Sequence, residues 1–285
     1  MLNFISKNIR HWIIHQHAAR FIRYFNPLNL LLWRYPIRVA MDPGTGVMIV
    51  HDSRTKLHFA RTERVMRYVK GIDALLDRLS ADYFLNQVDL RPGDCVVDCG
   101  ANIGEVSVAL RRREPALRIV TIEPEPLEAV CADMNVHSGR HESIRRALWN
   151  CETELKFYSS TDTADSSLFE PPVPNIVTAV QTTTLEKLMT EMRINHIRLL
   201  KLEAEGAEPE ILIGAGEALS RIDFIAADLG PERGLKQEQT ATPVINYLLN
   251  RGFELIDMRF DRVVCLFRNR SVHLDRNAEC ISSTT

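Results

Sequence analysis

From residue 95 onward, the sequence alternates between short apolar runs and segments of helical spacing, and this alternation constrains the fold more than any other feature. Strands are predicted at CVVDCG, RIVTIEP, SIRRALW, IRLLKLEA and IDFIAADLG, with helices between them. Repeated βαβ units imply a mostly parallel sheet with helices on both faces. FELIDMRFDRVVCLFRN predicts a closing antiparallel hairpin that turns at Asp261 and Arg262. We therefore predict a Rossmann-like α/β fold.

The N-terminal segment differs in charge from the rest of the chain. Residues 1–41 contain six Lys and Arg and no Asp or Glu, whereas residues 42–285 carry a net charge of −8. Apolar residues at helical spacing among these bases predict a basic amphipathic helix over residues 4 to 25. Three interpretations stay open: a helix lying on an anionic membrane surface with the help of NLLLW, a helix packed on the main domain, and an organelle transit peptide. Residues 1–25 would make any peripheral membrane contact.

A linking region precedes the alternating core. VMIV and KLHFA predict a β-hairpin, and residues 62 to 87 predict a helix interrupted near Gly71. We therefore expect a basic N-terminal segment (1–41), a hairpin and helix leading into the core (42–90), and a cofactor-binding domain (91–285).

Composition excludes several classes of protein. An acidic body is a poor general binder of nucleic acid, so we expect no nucleic-acid partner. The six cysteines are scattered without a CxxC pair, which predicts reduced thiols rather than a zinc site or disulfides. We see neither a spanning apolar run of about 20 residues nor a secretory signal. These features predict a cytoplasmic protein, with the inner membrane face as the place of any peripheral contact.

The loop after the first predicted strand, in VVDCGANIGE, has the position of a cofactor loop in open α/β sheets. It contains Gly100 and Gly104 but lacks the middle glycine of the dinucleotide pattern, and no P-loop sequence follows. Asp98 and Glu123 end the first two predicted strands. A carboxylate there suits the ribose hydroxyls of a nucleoside, because it accepts two hydrogen bonds.

Three segments carry a resemblance to known enzymes. DCGANIGE, IEPEP and RRALW at these separations resemble the class I methyltransferase fold, and KLEAEGAEPEIL closely resembles the KIDVEGAE segment of the FkbM methyltransferases. VVDCGANIGE and SSL at 166 to 168 match the same family, so the resemblance spans about residues 90 to 270. Glu203 departs from the Asp that the family usually has. DLGPERG resembles a branch that includes methyltransferases acting on fucose of lipo-oligosaccharides.

The resemblance implies S-adenosylmethionine as the cofactor. Glu123 would then hold the ribose hydroxyls, Asp98 the methionyl amino end through the loop, and Ala147 with Leu148 the adenine edge. The full set of implied cofactor contacts is Asp98, Gly100, Asn102, Gly104, Glu123, Ala147 and Leu148.

The glutamates of KLEAEGAEPE divide into two groups. Glu208 and Glu210 lie beside the first helical turn, where the helix dipole stabilises acids. Glu203 and Glu205 follow the carboxyl end of a buried strand, on the side where a methyl acceptor would enter. Because a hydroxyl acceptor must lose its proton, we predict Glu205 as the base, Glu203 as the second choice, and Lys201 as their charge partner.

Five polar residues are expected to shape the acceptor pocket: Ser166, Ser167, Asp228, Glu232 and Arg233. A magnesium or calcium ion held by Glu203, Glu205 and Asp228 is the alternative use of these acids. No loop of fixed ligand spacing supports that alternative, so we predict no metal.

These features predict an S-adenosylmethionine-dependent O-methyltransferase. Its acceptor would be a small molecule or glycan, most simply a hydroxyl of a saccharide or glycolipid precursor. Two alternatives remain: an N- or C-methyltransferase on a small molecule, and an accessory protein that binds the cofactor without turnover.

Overall fold

The computed structural model describes residues 2–159, 166–172 and 176–271. The helices are α1 (Leu2–Ile14), α2 (Ala18–Leu28), α3 (Ile72–Asp82), α4 (Glu105–Arg113), α5 (Pro126–Val136), α6 (Leu185–Glu191), α7 (Glu208–Ala215) and α8 (Ala241–Asn250). The strands are β1 (Arg38–Met41), β2 (Met48–His51), β3 (Lys56–Phe59), β4 (Cys95–Cys99), β5 (Arg118–Ile122), β6 (Ala147–Leu148), β7 (Glu154–Ser159), β8 (Ile176–Thr183), β9 (Ile197–Leu202), β10 (Ile222–Asp228), β11 (Pro231–Arg233), β12 (Glu238–Gln239), β13 (Phe253–Met258) and β14 (Val264–Asn269). A π-helical segment spans Asn29–Trp33, and 3-10 helices span Thr62–Tyr68, Leu85–Gln87 and Gly216–Arg221.

The central sheet has six strands in the order β13-β14-β10-β9-β4-β5. Strands β5, β4, β9 and β10 are parallel, whereas β14 is antiparallel to both β10 and β13. Every residue of β4, β9 and β10 is buried, as expected for parallel strands covered on both faces. The Rossmann-like α/β fold and its closing antiparallel hairpin are thus confirmed.

The third predicted strand, over residues 143 to 149, is shorter than expected. Ile144 forms a single parallel bridge with Ile122, and only Ala147–Leu148 continues as β6. This strand then pairs with β8 in a separate sheet of order β6-β8-β7. The segment therefore leaves the central sheet after one residue pair.

The linking region has two differences from the prediction. The predicted hairpin is present as β2 and β3, but β1 adds a third strand that the sequence did not indicate. The helix predicted over 62 to 87 is interrupted at Gly71, whose φ is +97°, and its first half is a 3-10 helix. The left-handed region suits glycine, which lacks a Cβ, so the chain changes direction there.

The N-terminal segment forms two helices instead of the one predicted over residues 4 to 25. The helix is interrupted between Ile14 and Ala18. The side chains of Ile13, Phe21 and Phe25 are fully buried in the core that also contains β4, β9 and β14 residues. The Asn26 amide also donates to the Val39 carbonyl and accepts from its N–H. One face of this segment therefore packs on the main domain.

The five cysteines at described positions are all unpaired, which agrees with the predicted reduced thiols: Cys95, Cys99, Cys131, Cys151 and Cys265. Cys280 lies outside the described residues. Through the ranges that the structure covers, every helix is too short or too polar to cross a bilayer.

Replacing Phe25 with Ala should lower the free energy of unfolding by about 3–5 kcal/mol, because the ring is fully buried in the shared core. Leu31 is 70% exposed, so Leu31→Ala should change the free energy of unfolding by less than about 0.5 kcal/mol. Denaturant unfolding of both variants measures the difference. Equal stabilities would show that the N-terminal helices contribute no packing to the domain.

Candidate active site

A cavity that is partly open to solvent lies at the carboxyl ends of β4, β5 and β9. Ligands of open α/β sheets bind at this edge. Its wall includes three segments that the sequence analysis assigned to a cofactor: the loop Gly100–Asn102, Glu123, and Ala147 with Leu148. The structure therefore brings together residues that lie up to 48 positions apart in the chain.

The glycines of the β4–α4 loop are required by packing against the protein itself. A Cβ on Gly100 would lie 1.7 Å from the Glu203 carbonyl oxygen, and one on Gly104 would lie 2.5 Å from Val136 Cγ2. Both residues also have positive φ angles, of +67° and +84°. Gly100 thus allows β4 and β9 to approach each other, and Gly104 allows α4 and α5 to do so.

Glu123 follows β5 and lies in the cavity wall with 6% of its surface exposed. Its two carboxylate oxygens accept hydrogen bonds from the Asn102 N–H (2.8 Å) and the Glu125 N–H (2.9 Å). Burial raises the pKa of the Glu123 carboxyl to about 7, and the charge of Glu128 adds to this shift. Each oxygen keeps a second lone pair, so the carboxylate can still accept from a ribose diol.

Asp98 and Gly104 do not line the cavity, which differs from the predicted cofactor contacts. The Asp98 carboxylate is fully buried, accepts a hydrogen bond from Ser107 Oγ at 2.6 Å, and lies 3.3 Å from Lys201 Nζ. It faces the interior because it belongs to a strand that is buried on both sides. Asp98 therefore holds other residues of the site in position.

The Lys201 ammonium is buried between the ends of β4 and β9. Its Nζ donates to the Gly100 carbonyl at 2.6 Å and the Cys99 carbonyl at 3.2 Å, and lies 3.0 Å from Glu203 Oε2. Burial alone would lower its pKa, but the Glu203 and Asp98 carboxylates outweigh burial and raise it. Lys201 is therefore always charged, and its ion pair with Glu203 is the one that the sequence predicts.

Glu203 has a second cationic partner. Arg262 Nη2 lies 2.6 Å from Glu203 Oε1, and Arg262 Nε lies 2.6 Å from Asp228 Oδ2. Burial would raise the pKa of the Glu203 carboxyl, but the Lys201 and Arg262 charges lower it to about 2. A guanidinium thus lies between two of the three acids considered as metal ligands. In the portion of the chain with described coordinates, no three His, Cys, Asp or Glu side chains form a metal-binding group.

Glu205 also lines the cavity, but from an unusual backbone conformation. Its φ is +49°, a left-handed angle that residues with a Cβ seldom adopt. Ser167 Oγ donates to the Glu205 carbonyl at 2.9 Å, and Ser167 is buried, whereas Ser166 lies in the cavity wall. The turn that carries Glu205 is therefore fastened to the serine segment.

Of the other three predicted pocket residues, only Glu232 lines the cavity. Asp228 is fully buried, and Arg233 points away to form two hydrogen bonds with the Glu210 carboxylate, at 2.7 and 2.8 Å. The predicted acceptor contacts at Ser167, Asp228 and Arg233 are thus indirect, because these side chains hold the cavity wall from behind.

The two glutamates of the helix start have specific partners as well. Glu208 accepts hydrogen bonds from the Ala204 and Gly206 N–H groups and from Thr240 Oγ1 at 2.9 Å. Glu210 forms the ion pair with Arg233. Both residues therefore stabilise the β9–α7 turn, as the sequence indicated, through direct bonds as well as through the helix dipole.

The cavity wall also contains residues without a local signal in the sequence, among them Arg64, Arg67, Tyr83 and Arg262. Arg64 and Arg67 place guanidinium groups 2.7 and 3.1 Å from Glu105 Oε2 on one side of the cavity, and Tyr83 and Arg262 close the other side. Arg64, Arg67 and Tyr83 come from a segment whose only visible signal was helical spacing. They reach the site through packing of distant segments, which no local motif encodes.

The affinity for S-adenosylmethionine should fall as pH decreases below about 7, because Glu123 must be ionised to accept both ribose hydroxyls. Well below this pKa, binding must release one proton, so the affinity should change by about tenfold per pH unit. Calorimetric titrations of the wild type and Glu123→Gln from pH 5.5 to 8.5 measure this dependence. The variant should bind weakly at every pH. Any pH dependence that its affinity retains should come from the titration of the ligand's own amino group. A wild-type affinity with no greater pH dependence than that of the variant would contradict the role of Glu123.

Several known methyltransferases are similar to this chain. The chain is 24% identical over 209 residues to the 31-O-demethyl-FK506 methyltransferase FkbM of Streptomyces tacrolimicus, covering 61% of this chain and 78% of that protein. A methyltransferase FkbM structure from Methylobacillus flagellatus KT has a TM-score of 0.46 at 14% identity over 88% of this chain, which spans 60% of that protein's length. A precorrin-6y C5,15-methyltransferase from Geobacter metallireducens GS-15 has a TM-score of 0.38 at 12% identity, over 68% of this chain and 87% of its own.

The family profile described as the methyltransferase FkbM domain matches residues 98–255, more than half of the chain. The match begins at the end of β4 and includes Glu123, the glutamate stretch after β9, and Glu232. It thus contains most of the cavity described above. The chain belongs to the FkbM family of S-adenosylmethionine-dependent methyltransferases.

Proposed function

We propose that this methyltransferase transfers the methyl group to a hydroxyl oxygen of a saccharide or glycolipid precursor. The observation that carries the proposal is the acidic side of the cofactor cavity, where Glu203, Glu205 and Glu232 all contribute to the wall. A hydroxyl acceptor needs a proton acceptor, whereas a nitrogen nucleophile that is already neutral does not. The Streptomyces tacrolimicus relative is named for an O-demethylated substrate, which supports the same choice.

The cofactor supplies a methyl group activated by a positively charged sulfur. Glu123 would hold its ribose hydroxyls, and Ala147 with Leu148 would contact the adenine edge. Arg64 and Arg67, both in the cavity wall, offer cationic groups for the methionyl carboxylate. These contacts would direct the methyl group toward the acidic side of the cavity.

The acceptor side of the cavity suits a polyhydroxyl ligand. Carboxylates accept hydrogen bonds from sugar hydroxyls, and the Ser166 hydroxyl can donate or accept. Methyl transfer requires the acceptor oxygen to lie in line with the bond that breaks, so these polar groups would act mainly by orienting the acceptor. Arg262 would close this side and neutralise the excess acid.

The outer surface of the N-terminal helices offers a contact with a lipid bilayer. We define the N-terminal surface by its exposed apolar side chains, which are Trp12, Tyr24, Leu30, Leu31 and Leu32. The Trp12 and Tyr24 rings lie 5.6 Å apart and connect α1 to α2. Exposed arginines flank these side chains at positions 20, 23, 34 and 38, and residues 1–41 contain no acid.

This combination fits peripheral binding to an anionic membrane face. Aromatic and leucine side chains enter the headgroup boundary, while arginines attract anionic lipids. The opposite face of the same helices is buried in the core, so packing and membrane contact use different faces of this segment. Such binding would keep the enzyme beside a lipid-borne acceptor at the cytoplasmic membrane face.

Incubation of the wild type with S-adenosylmethionine and a panel of sugar, nucleotide-sugar and glycolipid acceptors should yield S-adenosylhomocysteine and a methyl ether, both measured by mass spectrometry. A parallel arm with EDTA should show the same rate, because Arg262 bridges Glu203 and Asp228. Methylation restricted to amine or carbon acceptors would reject the hydroxyl assignment. Cofactor binding without release of S-adenosylhomocysteine from any acceptor would favour an accessory role.

The wild type should sediment with phosphatidylserine vesicles and much less with neutral phosphatidylcholine vesicles. Replacing both Leu30 and Leu31 with Ser should weaken this binding by at least about tenfold, since each buried leucine contributes about 1.5–3 kcal/mol. Leu235→Ser is the matched control, because Leu235 is 62% exposed on another part of the molecule. Deleting residues 1–25 is a poor test, since it removes Phe21 and Phe25 from the core. Equal sedimentation of the double variant and the control would reject membrane contact.

A further inference from the structure

Of the two acids that the sequence favours as a base, Glu203 is poorly suited to take a proton, and Glu205 has a constrained backbone. Glu203 is held by both Lys201 and Arg262, at 3.0 and 2.6 Å. Burial opposes its ionisation, but these cations lower its pKa to about 2, so protonation at neutral pH is strongly unfavourable. Glu205 lies on a backbone with a φ of +49°, fastened through its carbonyl to Ser167. Another acid in the same cavity has neither constraint.

Glu232 lies in β11, just beyond the carboxyl end of β10, and its side chain returns to the cavity wall. Its Oε2 atom is buried and has no hydrogen-bond partner among the residues that the structure describes. Its Oε1 atom lies beside Gly230, 3.8 Å from where a Cβ would stand on that residue. A buried carboxylate oxygen without a partner is costly in a site that serves structure alone. The Glu232 carboxylate therefore keeps an unused acceptor position in a side chain that lines the cavity.

The surroundings of Glu232 are predominantly negative. Burial first, and then the charges of Asp228, Glu203 and Glu208, together raise the pKa of the Glu232 carboxyl to about 8, against the opposing charge of Arg262. Asp228 and Glu203 are both paired with Arg262, so the single guanidinium is shared among the acids. Glu232 therefore has the highest proton affinity of the acids in the cavity wall whose pKa values shift upward.

We propose that Glu232 is the residue that removes the proton from the acceptor hydroxyl. The acceptor oxygen forms a bond to the methyl carbon as the carbon–sulfur bond breaks, and the electron pair of that bond stays on sulfur. The hydroxyl O–H bond breaks in the same step or just after it, and its proton goes to the Glu232 carboxylate. Ser166 and Glu205 then orient the acceptor. This inference rests on the proposed hydroxyl specificity.

The direction of the pH dependence follows from the need for an ionised base. Below about pH 8 the Glu232 carboxyl is protonated and cannot accept a proton, so turnover should increase with pH and level off above this value. Of the groups that face it, Glu203 is ionised far below this range and Arg262 is always cationic, whereas burial raises the pKa of the Asp228 and Glu208 carboxyls. The limb is therefore assigned to Glu232 by its absence in Glu232→Gln.

The test compares Glu232→Gln with the wild type and with Glu238→Gln, a control whose side chain is exposed on the neighbouring strand β12. With a hydroxyl acceptor, kcat of Glu232→Gln should fall by about 10²–10⁴-fold, and the rising limb near pH 8 should disappear. Its affinity for S-adenosylmethionine, measured by calorimetry, should remain that of the wild type and so report an intact fold. Glu238→Gln should keep both kcat and the limb.

Two results would overturn the inference. One is a Glu232→Gln variant with near wild-type kcat and an unchanged limb, above all if Glu205→Gln loses turnover instead. The other comes from carbon-13 NMR of glutamate-labelled protein, in which the Glu232 signal is assigned by its loss in Glu232→Gln. A titration midpoint near 8 supports the inference, and one near the ordinary value of about 4.3 rejects it. A wild type inactive on every hydroxyl acceptor would reject the proposed function, whereas an active wild type with an active variant would reject Glu232 alone.

Discussion

The buried ammonium of Lys201 is the interaction on which the geometry of the site depends. It bridges two parallel strands through backbone carbonyls at the end of β4 while remaining part of β9. An isolated charge at this depth would be prohibitively costly, so Asp98 and Glu203 are required as partners on either side of it. The cofactor loop and the glutamate turn therefore keep a fixed separation. Gly100 has to be a glycine for the same reason, because the two segments touch there.

The charges around this lysine explain how neighbouring carboxylates acquire different roles. The two cations, Lys201 and Arg262, bind Glu203 most closely, which leaves it permanently ionised. The negative charge that these two cations leave uncompensated increases the proton affinity of the neighbouring carboxylates. Carboxyl groups in similar environments would have similar pKa values. The uneven distribution of the cations is therefore what separates an ionised carboxylate from one that can exchange a proton.

The sequence predicted those parts of the molecule that local patterns encode. The order of strands and helices follows from periodicity, and Glu123 was identifiable because it ends a strand beside a glycine-rich loop. The interior position of the Asp98 side chain was not, because a strand buried on both faces lacks the alternation that would indicate which face a side chain occupies. Arg64 and Arg262 were also out of reach, since each comes from a segment without a motif and meets the site only through tertiary packing. Glu232 was predicted to shape the acceptor pocket, but its buried and acidic surroundings arise only from tertiary packing.

The position of Arg262 in the chain has a consequence for biosynthesis. This residue belongs to the turn before β14, and β14 inserts between β10 and β13 in the finished sheet. A nascent chain that ends before residue 262 would therefore have an open edge at β10 and two carboxylates, Glu203 and Asp228, without their shared counter-ion. By contrast, the cofactor loop and the lysine that binds its carbonyls have both been translated once β9 is complete. The acceptor half is completed only when almost the whole chain has been translated.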